Sequence, residues 1–383
     1  MSVTAARGFA ATGLPAGIKP SGNADLALVR NLGPDFTAAA VFTSNRIKAA
    51  PVLWSEQVIK DGSLQAVILN SGGANACTGP DGFADTHSTA ERLASQLGVG
   101  AVDIAVCSTG VIGNRLPVDK ITAAIPTLVD QATEDGGAAA AEAIMTTDTR
   151  AKQATATGDG WTIGGMAKGA GMLAPGLATM LVVITTDAVI NSAVLDTALR
   201  RATRLTFDRV DSDGAMSTND TVIVMSSGAS GVDADPAEFT DRLTAVCADL
   251  ARQLVADAEG ATHDIAITVS GAASQEDAVI VGRSIARNSL FKCAMFGNDP
   301  YWGRVLAALG TTSATFEPDA VDVSFNGVLL SRNGYGVPDA TVDISAQREI
   351  RVDIDLHAGD QTATIWTNDL TYDYVKENAE YLS

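Results

Sequence analysis

Thr179 is the residue whose setting first suggests chemistry. It stands in MAKGAGMLAPGLATMLVVITTDA, residues 166–188, where a Gly-rich stretch runs through Leu177, Ala178 and Thr179 into an apolar segment. A Thr hydroxyl is a poor nucleophile at neutral pH and needs a base beside it. Cutting the peptide bond between Ala178 and Thr179 would supply one. The freed α-amine, with an ordinary pKa of about 8, is partly neutral near pH 7 and sits on the same residue as the hydroxyl. Gly169, Gly171 and Gly176 permit unusual backbone angles and Pro175 fixes one. A loop held this way can press Thr179 Oγ1 against the Ala178 carbonyl. Attack gives an ester by N-to-O shift, and water then releases the new terminus. The run MLVVI would keep the nucleophile anchored at the head of a buried strand. On pattern alone, a Thr leading into a strand is ordinarily a structural residue.

Other nucleophile arrangements find little support. The three histidines, His87, His263 and His357, lie in no recognisable nucleophile motif, and no GxSxG elbow occurs. The cysteines, Cys77, Cys107, Cys247 and Cys293, form no CxxC pair and no zinc-spaced cluster with histidine. They read as buried reduced thiols of a cytosolic protein. A net charge of −19 and a pI near 4.4 repel phosphate backbones and anionic headgroups, which argues against nucleic-acid or membrane partners. The opening MSVTAARGFAATGLPAGIKPSG holds no apolar stretch of signal-peptide length. The cytoplasm is the expected address.

The elements that must position Thr179 read as interleaved strands and helices, an α/β or α+β chain. Apolar residues make up 46% and charged ones 19%, as in a globular protein, and 383 residues suffice for a large core. LQAVILN and VDIAVCSTGVIG read as buried strands ending in loops, and ATMLVVITTDA as a central strand. FADTHSTAERLASQLG and NSAVLDTALRRATRLTF read as helices, the second capped by Asn191. PVDKITAAIPTLVDQA is a helix that Pro126 should bend or end. Asn326-Gly327 predicts a hairpin turn, and EIRVDIDLHAGDQTATIWTND a second hairpin. A composition shift near residues 271–275 suggests a second lobe over about 275–383.

The segments KAAPVLW, NSGGANACTG, CSTGVIG, AIMTTDT, GGMAKGAGMLAPGLATML, STNDT, ADAEG, DPYWGRV and DLTYDYVKENAEY occur in this order from residue 48 to the end. In them the chain resembles the ornithine acetyltransferase family, the glutamate N-acetyltransferases of arginine biosynthesis. The resemblance implies layered sheets flanked by helices in an N-terminal-nucleophile-like fold. It implies self-cleavage into an α chain, 1–178, and a β chain, 179–383, which remain associated as two α and two β chains. The implied reaction moves acetyl from N-acetylornithine to glutamate through acetyl-Thr179, and some members also use acetyl-CoA. No metal or bound cofactor is implied. Thr109 and Gly110 match the family's oxyanion hole. Thr146, Lys168, Thr179, Glu259, Asn378 and Ser383 match its substrate contacts. A fixed cation at Lys168 suits an α-carboxylate, and Glu259 suits an ammonium or a proton on the leaving amine.

Two rival functions are compatible with the same residues. One is a hydrolase that uses the same self-cleaved Thr but passes the acyl group to water. The other is an amino-acid-binding relative that has lost processing and catalysis.

Overall fold

The computed structural model describes residues 2–174 and 180–380. Among these, residues 2–170, 180–208 and 216–254 form one compact unit, and residues 171–174, 209–215 and 255–380 form a second.

The first unit opens with strands β1 (Phe9–Leu14), β2 (Leu26–Asn31) and β3 (Thr37–Phe42), then helix α1 (Ala50–Val58). Next come β4 (Ala66–Asn70), α2 (Gly79–Leu97), β5 (Ile104–Ser108), α3 (Val118–Asp130) and α4 (Gly137–Ala143). It continues with β6 (Lys152–Thr157), β7 (Thr162–Lys168), β8 (Leu181–Thr186), α5 (Ser192–Leu205), β9 (Thr221–Ser226) and α6 (Pro236–Ala256). One sheet runs β1-β2-β4-β5 and another β3-β9-β8-β7-β6. Every residue of β4, β5, β8 and β9 is buried. That matches their unbroken apolar runs, since a strand covered on both faces cannot alternate with polar residues. The apolar faces of both sheets join one core through Ile68, Leu69, Met166, Leu181 and Ile223, with Ala140 and Ala143 of α4 packed into it.

Local signals set the helix ends. The Asn191 side chain accepts from the Val194 N–H at 3.0 Å, as a helix cap should. Pro126 lies inside α3, which runs on to Asp130, so of the two expected outcomes, a bend or an end, the helix does not end there. The carbonyl it leaves without a helical partner belongs to Thr122, which is half-buried, so solvent can serve it.

The second unit contains β10 (Asp264–Ala272), α7 (Gln275–Ala286), α8 (Ser289–Phe296), α9 (Trp302–Leu309), β11 (Asp322–Phe325) and β12 (Val328–Arg332). It ends with β13 (Tyr335–Gly336), β14 (Glu349–Asp355), β15 (Gln361–Asn368) and α10 (Tyr372–Glu380). Its sheet order is β13-β12-β11-β14-β10-β15. Alternating burial of Ile265, Ile267, Val269, Ile350, Val352, Ile354 and Ile365 puts one apolar face against α7 and α9.

Asn326 and Gly327, with φ of 47° and 82°, turn β11 into β12 as expected. The second expected hairpin is not formed. β14 pairs parallel to β10, and β15 pairs antiparallel to β10 on its other side. The connection crosses the end of β10, where the Leu356 N–H donates to Ser270 at 3.0 Å and the Ala358 N–H to Gly271 at 2.7 Å. A period of two residues assigns a face to each strand and says nothing of its neighbour. The thiols also divide. Cys107 and Cys247 are buried, but Cys77 and Cys293 are exposed, each just beyond or at the edge of packed apolar structure.

Candidate active site

Strand ends in the first unit gather the polar groups. β5 stops at Ser108, and Thr109 and Gly110 follow. The Thr109 N–H donates to the Asn70 carbonyl at 2.9 Å, and the Thr109 carbonyl accepts from Gly73 at 3.0 Å. The amide of Thr109 is therefore committed, and the group it can offer a substrate is its hydroxyl. Gly110 has φ of 134°, and a Cβ there would lie 2.7 Å from the Gly73 nitrogen, so only glycine fits this close crossing of two backbones. β7 stops at Lys168, which is 2% exposed. Its ammonium donates to Thr109 Oγ1 at 3.4 Å.

Asp148 lies behind these groups with a fully buried carboxylate. Its Oδ1 accepts from Lys152 Nζ and from the Gly169 N–H, each at 2.6 Å. Its Oδ2 accepts from the Thr146 N–H at 3.0 Å and stands 3.9 Å from Lys168 Nζ. Burial pushes this carboxyl up, but the charges of Lys168 and Lys152 and the hydrogen bonds outweigh it and hold the pKa down at about 2. Lys19 donates to the Met145 carbonyl at 2.7 Å, which steadies the chain just before Thr146. Burial lowers the Lys19 pKa.

The segment STND, residues 217–220, ties the start of β8 to the chain just beyond β4 and to the end of β5. Asn219 Nδ2 donates to the carbonyls of Ala74 at 2.6 Å and Ser108 at 2.8 Å. Asp220, fully buried, accepts the Met180 N–H at 3.2 Å. Burial raises the Asp220 carboxyl well above its ordinary range. Met180 is the residue after Thr179, so Asp220 secures the backbone immediately beyond the proposed nucleophile.

In the second unit, Glu259 follows α6. Its Oε2 accepts from Asn378 Nδ2 of α10 at 3.0 Å. α10 is tied down at its start, where Thr371 Oγ1 donates to the Gly260 carbonyl at 2.7 Å and accepts the Tyr374 N–H at 3.0 Å. A Cβ on Gly171 would come 2.4 Å from Glu259 Oε2, so a larger residue at 171 would displace this carboxylate. Asp213 receives the Met172 N–H at 2.6 Å. Asp213, Glu259, Lys292 and Tyr374 line a cavity of about 340 Å³. Burial, then the Asp213 and Glu259 charges, raises the Tyr374 hydroxyl to about 12, which removes it as a base at neutral pH. Lys292 holds the carbonyls of Ser212, at 2.7 Å, and Asn368, and burial lowers its pKa to about 8.

The ArgJ family profile matches residues 10–383. The chain belongs to the ArgJ family. Relatives named arginine biosynthesis bifunctional protein ArgJ are 61% identical in Streptomyces coelicolor and 60% in Thermobifida fusca, each alignment covering 100% of both chains. A solved chain of ornithine acetyltransferase from Mycobacterium tuberculosis, complexed with ornithine, is 57% identical. It covers 47% of this chain and 96% of its own length, with a TM-score of 0.45. The expected family is thus the observed one, and the chain is an arginine-biosynthesis acyltransferase of the ArgJ type.

For this ArgJ protein, the residues expected at the site fall into two described groups. Thr109, Gly110, Thr146 and Lys168 meet in the first unit, Thr146 and Lys168 through Asp148, Lys168 and Thr109 by a direct contact, and Thr109 and Gly110 against Gly73. Glu259 and Asn378 meet in the second. Ala178, Thr179 and Ser383 lie outside the described residues. Sequence reasoning passed over Lys19, Asp148, Lys152, Asp213, Asn219 and Asp220. Asp148 and Asn219-Asp220 belong to AIMTTDT and STNDT, so their signal was present as polar residues beside apolar runs. Nothing in the residue order says that their side chains turn inward.

Proposed function

We propose that the chain cuts itself between Ala178 and Thr179 and then works as a ping-pong acetyltransferase. The Thr179 α-amine takes the hydroxyl proton as Oγ1 attacks the acetyl carbon of N-acetylornithine. The tetrahedral oxyanion is held by the Thr109 hydroxyl and the Gly110 N–H, donors worth about 3 kcal/mol each in such sites. The C–N bond breaks, the amine carries away the proton, and ornithine leaves acetyl-Thr179. The glutamate amine then attacks the ester, and the proton returns to Thr179. Lys168 takes the amino-acid carboxylate, Thr146 adds a hydrogen bond, and Glu259 meets the ammonium or passes a proton. Asn378 fixes Glu259, and Ser383 completes the contacts from the C-terminus. The products are N-acetylglutamate and ornithine. The reading includes acetyl-CoA as a second donor, an assembly of two α and two β chains, and a cytoplasmic setting. Among the described residues no helix is long and apolar enough to cross a membrane.

The observation that supports this most is the contact between Lys168 Nζ and Thr109 Oγ1, 3.4 Å apart and both buried. It unites a cation for an amino-acid carboxylate with a hydroxyl suited to an oxyanion, from residues 59 positions apart. The test combines intact-mass measurement with acetyl transfer from N-acetylornithine, with and without glutamate. The parent should give two fragments split after residue 178 and should need glutamate for turnover. Thr179→Ala should remain one species of 39.3 kDa and lose at least about 10⁴-fold in activity. Substantial transfer by that variant would remove Thr179 from its role. Ornithine release independent of glutamate would favour the hydrolase.

A further inference from the structure

We propose that Asp148 is the positioning residue of the acyl-transfer site: one buried carboxylate holds Thr146, Lys168 and Gly169 in a single frame. The inference rests on the substrate-binding reading of Thr146 and Lys168 and adds what orients them.

The two oxygens of Asp148 divide the work. Oδ1 binds Lys152 Nζ and the Gly169 N–H, and Oδ2 binds the Thr146 N–H. Gly169 opens the glycine-rich segment that leads to Thr179, and its φ of 154° is one that glycine adopts freely, so the hydrogen bond to Asp148 selects this conformation among several. The Thr146 and Gly169 amides, far apart in sequence, are therefore registered on one group. At 3.9 Å the Lys168 contact is too long for a hydrogen bond and acts by charge. It attracts the ammonium while the 3.4 Å bond to Thr109 Oγ1 sets its direction. Lys152, fully buried, is paired with the same carboxylate, so Asp148 stands between two buried ammonium groups. Without Asp148, the ammonium groups of Lys152, Lys168 and Lys19 would repel one another, with the buried Asp220 as the carboxyl left near Lys168, an arrangement that favours loss of a proton from one of them.

The test compares the parent with Asp148→Asn and Asp148→Glu, using the whole chain. Readouts are kcat and KM for N-acetylornithine across pH, fragment formation by intact mass, and circular dichroism. Asp148→Asn should fold, lose at least about 100-fold in kcat/KM, and move the alkaline limb of the profile down by at least about one pH unit. Asp148→Glu keeps the charge but misplaces the oxygens. It should keep the alkaline limb and lose about tenfold in kcat. A folded Asp148→Asn with the parent's alkaline limb, whatever its rate, would reduce Asp148 to a packing role. If Asp148→Asn does not fold, Asp148→Glu decides: parental kcat, or a displaced alkaline limb, overturns the inference. A parent that transfers no acetyl group would defeat the site reading and this inference together. A competent parent with unaltered variants would defeat this inference alone.

Discussion

The Asp148–Lys168 cluster and the Glu259–Asn378 pair each centre on one carboxylate, in opposite surroundings. In the first, the side chains of Lys152, Lys168 and Asp148 are at most 2% exposed, and Asp148 accepts from Lys152 Nζ and from the Gly169 and Thr146 amides. In the second, Asn378 is exposed and Glu259 half-buried. Charges removed from water interact strongly but must be paired, whereas those reached by solvent are screened and adaptable. The lesson is a difference in freedom. The dry cluster is fixed by its pairing, whereas the solvent-reached pair can adjust.

If that contrast holds, Lys168→Met should have the largest effect among these substitutions. It leaves Asp148 with one cation and removes the bond to Thr109. Activity should fall by about 10³-fold, with a stability loss of about 3 kcal/mol in denaturant melts. A variant within tenfold of the parent would erase the distinction between the two clusters.

The next effect is on acid stability. The folded Asp148 pKa of about 2 lies below its ordinary 3.8. A depressed carboxylate contributes stability above its unfolded pKa and loses it as pH falls through the folded one. Its share, about 2 kcal/mol, should disappear between roughly pH 4 and pH 2. Denaturant melts across that window should show a shallower acid loss for Asp148→Asn than for the parent. Parallel curves would mean that the carboxylate is not held as described.

Glu259→Gln sharpens the other side. It keeps the acceptor for Asn378 and removes the charge, so kcat/KM should fall by about 10- to 100-fold while the melting temperature stays within about 2 °C. A large loss of stability would show that this carboxylate is structural. Asn378→Ala should be mildest, raising KM about threefold with kcat retained. A greater loss in kcat than in KM would place the pair in the chemical step.

How far the site could be read in advance depended on residue type. Gly110 was singled out only through the family resemblance, since STG alone reads as an ordinary turn, and its φ of 134° shows why a glycine stands there. Lys168 was legible as a cation but not as a buried one, because an isolated Lys after an apolar strand is ordinarily solvated. Asp148 was passed over beside Thr146, although it touches more of the site. A hydroxyl next to a carboxylate in sequence does not reveal which turns inward. In the sheets, the unbroken apolar runs of β4, β5 and β8 announced strands covered on both faces. The alternation in β14 and β15 announced one apolar face but concealed β10 between them.

Residue order by itself determined the class of elements, the caps and the Asn326-Gly327 turn, because these depend on neighbours within a few positions. It also carried the family motifs that named the chemistry. Tertiary structure alone decided which strands pair, that the Thr109 amide is taken by the Asn70 carbonyl, and that Asp148 lies between Lys152 and Lys168. Those outcomes depend on burial and on partners far away in the chain. The charge of a side chain is written in the sequence, but the dielectric around it and the groups that face it come only from folding.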